Sequence, residues 1–283
     1  MEGSNALRFE SPSFWKRLKG MLGVDFYRLF HTPMFYIFLV IAALIPAIIM
    51  GTMGMEGEGE AASLYSNGWQ IVAAYTPLYV VSDIGEYANM NMVFIFGGIM
   101  ISIFIGHDYK SGYVKQLFTT HAKKQDYVLS KSIVGAFSMS CMCLTYLLGG
   151  VGGGLFSGIS FNPLDFAENM TAGVMGIVCA IVGKMLMSLG WSCLYTLLNV
   201  IFRKLFGISI LSCFFFGTGI LIVGAAALIG NNVLLNVFLY GSSVYACLGS
   251  NPLTLLVCLV CSLTWSAAYI VLGTRILSKN DVY

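Results

Sequence analysis

Between Leu205 and Thr274 the chain runs for 70 residues without one Asp, Glu, Lys or Arg. A hydrocarbon core about 30 Å thick is crossed by roughly 20 helical residues, so an uncharged run of this length holds more than one membrane crossing. Barrel strands alternate in polarity over about ten residues. The runs here are apolar on every face, as helices must be when lipid offers their backbone groups no partner. Composition agrees: 10% of residues are charged, where soluble domains carry about 25%. The expected fold class is an all-α membrane protein.

Charge placement sets the topology, because Lys and Arg concentrate on cytoplasmic segments. Residues 12–33 space Phe14, Leu18, Met21, Leu22, Phe26, Leu29 and Phe30 near helical period, with Lys16, Lys19 and Gly23 on the other side. This is the pattern of an interfacial amphipathic helix. Spans are expected at about 34–53, 89–105, 132–156, 170–202, 206–229 and 253–275. Pro46 lies inside the first, where a kink is expected. Arg203 and Lys204 begin the long uncharged run and Arg275 and Lys279 end it, so an even number of crossings separates them. Two spans leave residues 231–252, "NNVLLNVFLYGSSVYACLGSNP", as a re-entrant or interfacial hairpin before the last span. The result is six transmembrane helices in one domain, residues 1–283, with both termini cytoplasmic. Fourteen of the 15 Lys and Arg then fall inside, and Glu56, Glu58, Glu60, Asp83, Glu86, Asp165 and Glu168 fall outside.

The chain carries no GxxxxGK[ST] phosphate loop, no HExxH metal pair and no GxSxG elbow. Neither catalysis nor a metal site is expected of it. Seven of its eight cysteines sit in apolar runs and read as small packing residues. The exception, Cys247, has no evident partner for a bridge. His31, His107 and His121 read as solvated or capping histidines. The sequon Asn169-Met170-Thr171 is short enough to arise by chance and sits close to the membrane.

Lys184 interrupts the fourth span. An ammonium there costs about 2.5 to 3.5 kcal/mol on insertion scales, so it faces protein, water or a partner rather than lipid. It lines a translocation pathway, snorkels to an interface, or is paired within the structure. The spans contain no carboxylate to serve a proton relay.

Residues 106–131, "GHDYKSGYVKQLFTTHAKKQDYVLSK", form a cytoplasmic segment with five lysines. An acid (Asp108), a Gly-containing turn (Gly112), a short helix ("YVKQLF") and a terminal lysine (Lys131) follow one another between two spans. This order resembles the ABC-2 type permeases of bacterial ATP-binding-cassette exporters, including those of lantibiotic and bacitracin immunity. Asp108 stands where that family often has Glu, Tyr113 where it has Thr, and "THAKK" where it has Pro with Arg.

The resemblance implies that this segment couples the membrane domain to a separate ATPase subunit. Tyr113, Val114, Leu117 and Phe118 would form a ridge entering a groove of that subunit, rimmed by Lys110, Lys115, Lys123 and Lys124, with Asp108 and Gly112 shaping the turn. ATP and Mg²⁺ would be bound by the partner, this chain itself holding no cofactor. Two ATPase copies and a second permease, most simply a second copy of this chain, would complete an exporter in the bacterial plasma membrane. The substrate class would be a peptide or lipid-like amphiphile. Two rival readings are an ion-coupled secondary carrier and a membrane scaffold or sensor that transports nothing. The glycine pairs Gly149/Gly153, Gly150/Gly154 and Gly154/Gly158 permit close helix approach, either within the chain or between copies.

Overall fold

A computed structural model describes residues 13–53, 92–119, 122–158, 173–218 and 252–279. Among these the chain is all helical: α1 (Phe14–Phe30), α2 (Pro33–Met53), α3 (Met92–Lys110), α4 (Tyr113–Thr119), α5 (Lys124–Phe156), α6 (Gly173–Ile201), α7 (Phe206–Thr218) and α8 (Pro252–Lys279). α3, α5, α6 and α8 are each long and apolar enough to cross a bilayer. The pair α1–α2, bent by 65°, makes a fifth candidate. The expected fifth span, 206–229, is described only as far as Thr218, as the short apolar helix α7. The expected hairpin at 231–252, Cys247 and the sequon lie outside the described residues, Pro252 excepted.

The bend between α1 and α2 has a local cause. Pro33 has no N–H to continue the ladder and disfavours helical geometry at the residue before it. The end of α1 is closed by side chains instead: Thr32 Oγ1 donates to the Arg28 carbonyl at 2.7 Å, and His31 Nδ1 lies 2.8 Å from the Tyr27 carbonyl. His31 is thus a capping residue. Pro33 itself starts α2, where its missing donor is harmless.

α5 is the hub, packing against α1, α2, α3, α6 and α8. Its seam with α2 rests on two of the glycines. A Cβ on Gly149 would lie 2.0 Å from the Ala43 carbonyl oxygen, and one on Gly153 would lie 2.3 Å from that of Ala47. The two backbones therefore touch through small residues spaced four apart on both helices, and this glycine face is used for packing within the chain. Serines stitch α5 to α6: Ser192 Oγ donates to the Ser132 carbonyl at 2.7 Å, and Ser140 and Ser188 share a bond at 3.0 Å. Ser262 on α8 donates to the Leu186 carbonyl of α6 at 2.6 Å. Trp191 of α6 is fully enclosed and stacks on Phe94 of α3 at 5.2 Å. The described cysteines, Cys141, Cys143, Cys193, Cys213, Cys258 and Cys261, are free thiols, and all but Cys141 and Cys261 are buried.

The helices run past the expected span edges. α3 continues through His107 and Asp108 to Lys110, and α5 begins at Lys124. At 1.5 Å per residue the 33 residues of α5 extend about 50 Å, well beyond a 30 Å core. The described part of the lysine-bearing segment is thus mostly helix, with a turn at Ser111 and Gly112 before α4.

Candidate functional site

The charged segment gathers at one end of the bundle, where α1, the end of α3, α4 and the start of α5 meet. Gly112 makes the turn between α3 and α4 with φ of +72°, a left-handed conformation that disfavours any side chain. A Cβ there would meet nothing within 4 Å, so the requirement is conformational rather than steric.

Beneath this turn four charges close on one another. Lys131 Nζ of α5 lies 2.6 Å from Asp25 Oδ1 of α1 and 2.6 Å from Asp108 Oδ2 of α3. Arg28 of α1 pairs with the other Asp108 oxygen and stands 3.9 Å from Asp25 Oδ1. Ser130 Oγ donates to Asp25 Oδ2 at 2.7 Å, and Tyr127 Oη donates to Asp108 Oδ2 at 3.4 Å. Every carboxylate oxygen of the pair thus has a partner. Asp25 and Asp108 have no exposed surface and Lys131 keeps 1%. Charges this deep persist only when paired and hydrogen-bonded, since the desolvation of each otherwise costs several kcal/mol. Two carboxylates and two cations balance.

Aromatic rings frame the cluster. The Arg28 guanidinium sits 4.4 Å from the Tyr113 ring centroid, and the Lys131 ammonium 4.5 Å from that of Phe104. Burial, reinforced by the nearby Asp25 carboxylate, holds the Tyr113 phenol above its ordinary value, so this residue of α4 stays neutral against the ions.

α4 is seated by an apolar cluster next to the ions: Met21, Val114, Tyr127, Val128, Val200 and Leu277 are buried together, with Leu117 and Phe118 packed against them. Phe118 meets Tyr127 edge to face at 5.9 Å. The expected ridge is therefore turned largely inward. Val114 keeps 1% exposure; Tyr113, Leu117 and Phe118 are half-buried, and the outward side of α4 is Lys115, Gln116 and Thr119. Lys110 and Lys123 are exposed, the former with its ammonium 4.0 Å from the Phe206 ring centroid. Lys124 is half-buried and donates to the Leu277 carbonyl at 2.9 Å, fastening α5 to the end of α8.

Sequence reasoning names Asp108 and Lys131 only as the first and last parts of a motif, through a resemblance alone; the structure brings them into direct contact. It misses Asp25 and Arg28. A signal for the first exists: Met21, Asp25 and Leu29 follow one another at i, i+4 and i+8, so a lone carboxylate stands on the apolar side of its helix and requires a cation there. A second pair of the same kind, Arg17 Nε to Asp126 Oδ2 at 2.8 Å, also joins α1 to α5.

Lys184 is remote from this end, 17 residues and about 25 Å along α6 from Ile201. It is enclosed by protein, with 6% exposure. Among the described residues no three His, Cys, Asp or Glu converge as a metal site would require.

Residues 22–194, more than half of the chain, match the sequence model of a family described as ABC-2 family transporter protein. That range contains α4, Lys184 and all four members of the ion cluster. No curated protein and no solved structure matches the chain.

Proposed function

This chain belongs to the ABC-2 transporter family, a family of membrane transport components, and from that premise we propose that it is the permease subunit of an ATP-driven exporter. It is a multi-pass membrane protein. The observation that carries the reading is α4, a seven-residue helix outside the spans, held by an ion cluster and an apolar seat that fix its orientation against three long helices. A solvated loop needs no such anchoring; an element that receives force does.

On this reading the end bearing α4 faces the cytoplasm and meets a separate ATPase subunit that binds ATP and Mg²⁺. Lys115, Gln116 and Thr119, with the exposed edges of Leu117 and Phe118, form the contact. Lys110 and Lys123 lie at its rim, where charge sets orientation and association rate more than affinity. Asp108, Gly112, Tyr113 and Val114 act from within by holding the helix, and Lys124 ties it to α8. A displacement of α4 reaches α1 through Arg28 and α5 through Lys131, because the Tyr113 ring of α4 lies against both cations. Lys184 belongs to the pathway, since a buried ammonium in a span marks substrate passage by default. A second permease, most simply a second copy, completes the enclosure, and a peptide or other amphiphile suits the aromatic interior.

The test is purification of the tagged full-length chain from its native membrane, with Mg²⁺-dependent ATP hydrolysis measured in the eluate. Hydrolysis should accompany the wild type and fall at least tenfold with Lys115→Glu and Gln116→Glu combined, the unfolding temperature of the permease being unchanged. In vesicles Lys184→Met should slow transport and leave basal hydrolysis intact. Undiminished hydrolysis in the α4 variant removes the docking assignment. Flux driven by an ion gradient, with no ATPase present, establishes the carrier instead.

A further inference from the structure

We propose that the outward side of α1 is a seat for anionic phospholipid headgroups. Trp15 and Tyr27 are 75% and 64% exposed, and Lys16 and Lys19 are exposed on the same arc. The arc holds no acid. The single carboxylate of α1, Asp25, points the other way and is spent on Lys131 and Ser130.

The same separation of signs extends around this end of the bundle. Among the described residues the acids are Asp25, Asp108 and Asp126; all are buried, and each is paired with a cation inside the chain. Lys110, Lys204 and Arg275, by contrast, are exposed at the helix ends nearby. Internal pairing has removed every described negative charge from the surface here and left a positive collar.

Trp and Tyr settle where one part of the ring is apolar and the other wet, at the level of lipid headgroups. Lysines beside them reach the phosphates, and each contributes roughly 1 kcal/mol of attraction to an anionic surface. The bend of 65° sets α1 across the direction of α2. The chain then passes directly into the exposed apolar side of α2, Ile37, Val40, Leu44 and Ile48. The mixed arc of α1 thus lies next to a lipid-facing helix, at the depth where headgroups begin. The assignment is independent of the ATPase contact, which uses α4.

The experiment places the full-length chain in phosphatidylcholine nanodiscs doped with brominated phosphatidylglycerol or, separately, brominated phosphatidylcholine. Tryptophan quenching is read as the difference between wild type and Trp15→Phe, which isolates Trp15. Phosphatidylglycerol should quench that signal at a concentration on the order of tenfold lower than phosphatidylcholine. Lys16→Gln with Lys19→Gln should erase the preference, and Lys16→Arg with Lys19→Arg should keep it. Equal quenching by the two lipids, or a preference that survives in the Gln variant, overturns the proposal. So does a Gln variant that keeps the preference but loses associated ATP hydrolysis, which would give this face to a protein partner.

Discussion

The two ends of α5 are held by opposite means. At its start, Lys131 and Asp126 join α1 and α3 through ion pairs whose carboxylates are buried. Toward its other end, Gly149 and Gly153 let α2 come into backbone contact with no charge at all. The difference follows from what each end must do. Apolar helices gain no hydrophobic drive from meeting inside lipid, so close packing and small residues hold them. At the boundary a carboxylate or ammonium can be kept, and an ion pair specifies its partner where a glycine only permits one. The charged end therefore selects which elements meet, and the glycine end sets how closely they do.

The largest expected effect tests that selectivity. Lys131→Met leaves Asp25 and Asp108 buried with Arg28 as their one remaining cation. Removing one member of a buried pair costs about 3 to 5 kcal/mol, which an SDS unfolding titration of the purified chain would register. Lys131→Met combined with Asp108→Asn should cost less than the two single changes added together, because each removes the charge that the other strands. A loss below about 1 kcal/mol for Lys131→Met would mean that water reaches the cluster and that the ions do not hold α1.

Legibility in the sequence follows the same division. The all-helical class was readable because lipid imposes one constraint on a whole run, so long apolar stretches announce helices almost unaided. The glycine face was readable as a pattern, though its partner was not: nothing in "GGVGGG" names Ala43 and Ala47. The ion cluster was the least legible part, since Arg28 and Asp25 of α1 lie 80 and 106 positions from their partners Asp108 and Lys131, and a pairing at that distance leaves no periodic trace. Only the placement of Asp25 on the apolar side of α1 betrays it. The seating of α4 was not legible for a related reason. An apolar ridge on a short helix looks like a surface for another protein until the neighbours that cover it, Met21, Tyr127 and Leu277, are brought in by the fold.

A smaller effect sharpens the other half of the comparison. Gly149→Ala places a Cβ against a main-chain oxygen that cannot rotate away, so α2 and α5 must separate. Overpacking of this kind costs about 1 to 3 kcal/mol. Gly152→Ala, one turn along the same helix, meets nothing within 4 Å. It should be neutral or gain up to about 1 kcal/mol from better helix propensity. The unfolding titration should shift toward lower stability for Gly149→Ala and not for Gly152→Ala; equal shifts would show that α2 does not rest on this face in the membrane.

The smallest effect concerns the hydrogen bonds that lie between these extremes. Asn199 of α6 donates to Ser102 Oγ of α3 at 3.0 Å and accepts from Ser209 of α7, so one amide joins three helices. Ser192 supplies a single bond to the Ser132 carbonyl. Hydrogen bonds between membrane helices average about 0.6 kcal/mol and reach about 1.7, because the separated helices find other partners. Asn199→Ala should therefore cost about 1.5 kcal/mol and Ser192→Ala about 0.5 kcal/mol, both below the ion cluster. An Asn199→Ala loss as large as that of Lys131→Met would break the comparison, since a neutral amide would then specify partners as strongly as a buried charge. The ordering expected instead is ion cluster, backbone contact, amide and hydroxyl, and it tracks how much each group loses when its partner is taken away.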